Sequence, residues 1–122
     1  MLLQLNFSAE IPIYQQIRNQ IVVGIASGEL RPGDRLPTIR ALANESGVNV
    51  MTVNKAYALL KQEGYILADR RGGTVVAGEP GPNRLPPQSQ EALSVIISEA
   101  KLAGMSRQDF LQLCGTLFDG RV

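Results

Sequence analysis

A mostly α-helical fold with one small β-hairpin is what this chain of 122 residues predicts, on three observations. Ile13, Ile17, Ile21 and Ile25 recur every four residues, which draws one apolar stripe along a helix. Two short helical patterns meet at Gly47, and two strand-like runs around a glycine-rich loop follow them. Residues 78–87 (GEPGPNRLPP) then hold four of the seven prolines and no apolar period, as a semi-rigid linker does. The length suits a domain of about 100 residues, or a smaller domain with an appendage.

Each element has its own local signal. Leu3, Leu5 and Phe7 alternate with polar neighbours, which predicts a short extended lead-in. Pro12 fits the first turn of a first helix, and Gly28 closes it. Leu30 to Pro37 is a turn-rich connector. Thr38 is the N-cap of a second helix that reaches Glu45 and turns Ile39, Leu42 and Ala43 inward. Asn49 caps a third helix to Glu63, with Val53, Ala56, Tyr57 and Leu60 on one side and Gly64 as its stop. Strands over Tyr65–Ala68 and Thr74–Ala77 flank the loop Asp69-Arg70-Arg71-Gly72-Gly73. Past the linker, Leu93, Ile96, Ile97, Ala100 and Ala103 mark an amphipathic helix ending at Gly104. Ser106 and Asp109 form a variant capping box for a final helix through Phe118. The expected organisation is a domain at 1–78, a linker at 79–87 and a helical hairpin at 88–122.

Composition removes several functions. There is no His and a single Cys, Cys114, so no His/Cys metal set and no Ser/His or Cys/His catalytic pair can be assembled. The 11 acidic residues are scattered singly among 12 basic ones, and the net charge of +1 does not by itself point to nucleic acid. No cofactor, no metal and no enzymatic activity are expected. No apolar run approaches the roughly 18 residues of a membrane helix, and no charged-then-apolar leader opens the sequence. A cytoplasmic protein with no membrane partner is expected.

Residues 39–58 have the spacing of a helix-turn-helix: Ala43 is small where the helices meet, Gly47 serves the tight turn, and Val48 and Val53 close onto the core. A helix-turn-helix followed by a β-hairpin is the winged-helix arrangement. The sequence also resembles the GntR family of bacterial transcriptional regulators. The resembling stretches are IPIYQQIRNQI (11–21), GELRPGDRLPTIRALANESGVN (28–49), TVNKAYALLKQEGYI (52–66) and GGTVVA (72–77), in the family's order. The short tail is similar to the YtrA subfamily, whose members carry only a helical hairpin after the winged helix.

The resemblance implies a homodimer on a two-fold, double-stranded DNA operator, most simply as a repressor. The third helix would enter the major groove and the wing would reach the adjacent minor groove or backbone. The exposed chemistry is compatible. Asn49 and Asn54 can each read adenine with a bidentate amide, worth about 1–3 kcal/mol of discrimination. Thr52 at its helix start suits a phosphate or base. Val50 and Met51 suit the thymine methyl, and Lys55 a phosphate. Arg40 stands where the family places a DNA-contacting arginine, with Thr38 beside it. In the wing, Arg70 and Arg71 supply charge while Gly72 and Gly73 permit close approach. Two features depart from the family: many relatives are polar or basic where Val50 and Met51 stand, and the wing is one residue shorter than the common pattern.

Simpler readings exist for the same residues. Asn49 is an N-cap in any case, Arg40 has Glu45 as a candidate ion-pair partner, and Arg70 and Arg71 suit any polar hairpin tip. In the tail, Leu93, Ile96, Ile97, Phe110, Leu113, Cys114 and Leu117 give apolar character on too many sides for a lone surface element, which predicts dimerisation. Packing of the tail on its own winged helix is the rival. Two short helices enclose little volume for a small-molecule effector, so that partner has no support in the residues. A winged helix serving as a protein–protein interaction module is the competing function. It would call for an apolar or acidic third-helix face, whereas the sequence offers Asn49, Thr52, Asn54 and Lys55. Family members fused to a pyridoxal-phosphate domain need far more chain than this.

Overall fold

The computed structural model describes residues 3–78 and 81–120, which form two compact units, Met1–Glu79 and Pro80–Val122. Positions 79 and 80 of the expected linker, and 121 and 122 of the expected tail, lie outside the described residues.

In the first unit the chain runs α1 (Ile13–Ala26), α2 (Ile39–Ser46), α3 (Val50–Glu63), β1 (Ile66–Ala68) and β2 (Thr74–Val76). Ahead of α1, Leu3 and Leu5 pack on the core while Gln4 and Asn6 turn the other way. Two glutamines of α1 fasten this lead-in. Gln20 exchanges two hydrogen bonds with the Gln4 backbone, and Gln16 does the same with Asn6. Phe7, expected to continue the alternation, instead sits exposed in a turn.

The helix ends follow local chemistry. Pro12 precedes α1, and its carbonyl accepts from the Gln15 and Gln16 amides. The Thr38 hydroxyl accepts the Ala41 N–H at 3.1 Å, satisfying a donor that the first turn of α2 leaves orphaned. Gly47 ends α2 at φ 69°, a left-handed geometry that costs a residue with a side chain about 1–2 kcal/mol. Asn49 then caps α3 by accepting the Met51 N–H at 2.7 Å.

α1 and α2 both pack on α3, and the core is one cluster: Ile17, Ile21, Leu36, Leu42, Ala43, Val53, Ala56, Tyr57, Leu60, Ile66 and Val76. Each fully buried Ile, Leu or Val contributes about 1.5–3 kcal/mol relative to exposure. Tyr57 is the one phenol in this core, and its hydroxyl donates to the Pro37 carbonyl at 2.7 Å. Burial pushes that hydroxyl up to about 12.

β1 and β2 pair antiparallel, Ile66 opposite Val76 and Ala68 opposite Thr74. The turn-rich connector before α2 adds a third partner. Gly33 and Leu36 donate to the Val76 and Thr74 carbonyls, Val76 donates back to Asp34, and Arg35 bridges Val75. The hairpin is thereby tied to the entrance of α2. The paired segment from Gly33 to Leu36 has no alternating apolar run, so the pairing leaves no pattern to detect.

The second unit holds α4 (Pro87–Leu102) and α5 (Arg107–Phe118). Pro87, assigned above to the linker, is the first residue of α4. Its missing N–H falls among the donors a helix start leaves unpaired, and its fixed φ suits that position. Gly104, at φ 85°, makes the turn, and the Ser106 hydroxyl accepts the Asp109 N–H at 3.1 Å. The two backbones approach closely at few positions, and no described residue of either helix is buried.

Candidate nucleic-acid interface

The first turns of α3 present two different faces. Val53, Ala56, Tyr57 and Leu60 point into the core, fully or almost fully buried. Val50, Met51, Asn54 and Lys55 fall on the opposite side and are exposed, Met51 at 77% and Val50 at 44%. Asn49 spends its side-chain oxygen on the cap, and among the described residues nothing accepts from its amide NH2, while Thr52 is half-buried.

Met51, Thr52, Asn54 and Lys55 come together along a shallow groove whose other wall is Tyr14 of α1. The Lys55 ammonium lies 4.1 Å from the Tyr14 ring centroid, a cation–π contact of about 0.5–1 kcal/mol at an exposed site. Neither sequence spacing nor composition signalled this pairing, since the two residues are on different helices.

The far end of α3 is also tied to α1 by an ion pair. Arg18 of α1 grips Glu63 with both arms of its fork, Nε to Oε1 at 2.9 Å and Nη2 to Oε2 at 2.8 Å. This hydrogen bond raises the Arg18 pKa above its ordinary value against the opposing effect of burial. The guanidinium also lies 5.7 Å from the Tyr65 ring centroid.

Arg40, on the first turn of α2, is exposed and makes no ion pair among the described residues, so the Glu45 pairing is not formed. Thr38 beside it uses its oxygen as the α2 cap. In the hairpin loop Arg70 and Arg71 are both exposed. Gly72 and Gly73 adopt φ of 93° and 80°, which residues with side chains rarely take. Arg71 Nε stands 3.5 Å from the Asp69 carboxylate, which also accepts from Arg35 of the connector. Arg35 was not among the residues singled out from sequence, because its partners lie more than thirty positions away.

In the second unit Leu93, Ile96, Ile97, Leu113 and Leu117 are exposed, whereas Phe110 and Cys114 are partly covered. Ile97 and Phe110 share an apolar cleft of about 350 Å³ with Ala100, Met105 and Leu111, edged by Lys101 and Arg107. No group of three His, Cys, Asp or Glu side chains suited to a metal occurs among the described residues. No described helix is long and apolar enough to cross a membrane.

The model of bacterial regulatory proteins of the gntR family matches residues 13–76. The transcriptional regulator Rv1152 of Mycobacterium tuberculosis is 31% identical over 111 residues, 90% of this chain and 88% of that protein. By contrast, the Escherichia coli regulator YdcR is 48% identical over 64 residues, and the chain spans only 14% of its length. Among solved structures, YtrA from Sulfolobus acidocaldarius, a GntR-family transcription factor, is 42% identical with a TM-score of 0.67. That match covers 84% of this chain and 99% of YtrA. The DNA-binding domain of AraR, solved in complex with operator ORX1, is 29% identical with a TM-score of 0.56. It covers 63% of this chain and 99% of that domain.

Proposed function

Because the chain belongs to the gntR family of bacterial regulatory proteins, we propose that it is a sequence-specific DNA-binding transcriptional regulator acting as a homodimeric repressor. The observation that carries this reading is the outward face of α3. Val50, Met51 and Asn54 stand in water on a helix whose other side is wholly committed to the core. A B-form major groove of about 12 Å admits such a helix. There the Asn54 amide and the Asn49 amide NH2 meet base edges, and Val50 and Met51 meet thymine methyls. Thr38, Thr52 and Lys55 serve phosphates, Arg40 contacts the duplex from α2, and Arg70 and Arg71 carry the wing to the flanking backbone, with Gly72 and Gly73 allowing close approach.

The likeness to the operator-bound AraR domain supports the same placement. The second unit supplies the two-fold. No described residue of its helices is buried, and Leu93, Ile96, Ile97, Leu113 and Leu117, with Phe110 and Cys114, form the surface that a second copy covers. The protein works on a double-stranded DNA operator in the cytoplasm and performs no chemistry of its own. Repression follows from occupying a site that overlaps a promoter.

The test is operator affinity of Arg40→Ala and Asn54→Ala beside their sedimentation behaviour. Each weakens binding, Asn54→Ala by about 1–3 kcal/mol with relaxed preference at one base, while the dimer persists. Unchanged affinity in both variants would remove α2 and α3 from the interface.

A further inference from the structure

The hairpin tip carries two arginines that the proposed function sends to the duplex, yet what holds the tip is a residue outside the hairpin. Arg35 sits opposite Val75 in the bridge between the connector and β2. From there its guanidinium reaches the loop. Nη1 donates to the Gly72 carbonyl at 2.6 Å, and Nη2 donates to Oδ2 of Asp69. The loop's own bonds join the same residues, Gly72 N–H to the Asp69 carbonyl and Asp69 N–H to the Gly73 carbonyl, both at 3.0 Å. Gly73 turns its bare side to Arg35: a Cβ there would stand 2.6 Å from Nη1.

Asp69 is the other half of the arrangement. A carboxylate beside a surface meant for phosphates repels them unless its charge is matched. Here the side chain is 18% exposed, lodged between Arg35 and Arg71. While Arg35 satisfies it, Arg71 stays 84% exposed at 3.5 Å. Without Arg35, Arg71 is the cation left beside Asp69, and the carboxylate draws it back onto the loop.

We propose that Arg35 is a positioning residue for DNA binding: by clamping Asp69 and Gly72 it presents Arg70 and Arg71 to the phosphate backbone without contacting DNA itself. This inference rests on the function proposed above and goes further by assigning a role to the Arg35–Asp69 pair. It also explains why an acidic residue is tolerated at the base of a DNA-facing loop.

The experiment measures affinity against salt for a duplex that the wild-type protein binds, using Arg35→Ala, Arg35→Lys, Asp69→Ala, the double variant Arg70→Ala/Arg71→Ala, and that double variant carrying Arg35→Ala. Arg35→Ala weakens binding on the order of tenfold, the scale of one or two lost phosphate contacts. Arg35→Lys restores only part, because an ammonium lacks the fork that spans two acceptors. Asp69→Ala also weakens binding although it removes a negative charge, and tighter binding by that variant would overturn the clamp. On the background lacking both tip arginines, Arg35→Ala changes affinity by about twofold or less and leaves the salt slope alone. A direct phosphate contact would instead lower the slope by about one on either background, and that result contradicts a positioning role.

If the wild-type protein binds no duplex, the function proposed above fails first, and the clamp is judged on the free protein. Amide exchange at Asp69 and Gly72 then rises in Arg35→Ala. Rates equal to wild type would refute the clamp independently of any DNA.

Discussion

Replacing Tyr57 by Phe removes one oxygen from the centre of the first unit and leaves the packing of the ring untouched. The residue is 1% exposed, and its hydroxyl donates to the Pro37 carbonyl at 2.7 Å. That bond ties the middle of α3 to the residue just before the α2 cap, so the substitution leaves a carbonyl without its partner at the start of α2. An orphaned acceptor of this kind costs about 1–2 kcal/mol. For a unit of this size each kcal/mol lowers the melting temperature by about 4–8 °C, which gives a fall of about 4–16 °C at neutral pH. The same substitution carries a pH signature. Burial holds the phenol at about 12, above its usual value near 10. The folded state keeps a proton that the unfolded chain releases between pH 10 and 12, so the stability it contributes is complete below pH 10 and lost as pH rises through 12. Phe has no such group. Thermal unfolding followed by circular dichroism across that range therefore shows the wild-type advantage shrinking with pH. A fall of less than about 2 °C at neutral pH, or parallel pH profiles for the two proteins, would refute the buried-donor account.

Other consequences are as specific. Gly47→Ala destabilises by about 1–2 kcal/mol through backbone strain alone, since a Cβ there meets nothing within 4 Å; an unchanged melting temperature would show that the turn tolerates a side chain. The Arg18–Glu63 fork has side chains 19% and 29% exposed, so a double-mutant cycle with Arg18→Ala and Glu63→Ala returns a coupling of about 0.5–1 kcal/mol, and strict additivity would deny it. Leu113→Glu together with Leu117→Glu places two charges on the exposed apolar side of α5 and yields monomers in sedimentation; a dimer that survives both would move the two-fold contact elsewhere. Tyr14→Leu releases Lys55 from its ring and changes operator affinity by severalfold, whereas Tyr14→Phe keeps the contact and the affinity.

What the chain displays openly is the chemistry that operates over three or four residues. Thr38, Asn49 and Ser106 are capping residue types at helix starts, and Gly47, Gly64 and Gly104 take the left-handed geometry at helix ends. The inward set of α3 was equally legible, because Val53, Ala56, Tyr57 and Leu60 repeat with the helical period. The outward set Val50, Met51, Asn54 and Lys55 follows from it by subtraction. Contacts between distant segments left no such trace. Arg35 reads as one more polar residue in a turn-rich connector, and only the pairing of that connector with β2 brings it to the hairpin loop. Tyr14 with Lys55 and Arg18 with Glu63 are likewise products of α1 lying on α3. Pro87 is ambiguous for a different reason: proline marks both a linker and the first turn of a helix, and the two uses look alike in one sequence.

Whether α3 and the hairpin read a two-fold operator is decided by selecting bound duplexes from a random-sequence pool and then following affinity against salt. A dimeric reader enriches a palindromic motif with half-sites about one helical turn apart and loses affinity steeply with salt. A pool that yields no enriched motif, with only weak and sequence-independent binding, would contradict it.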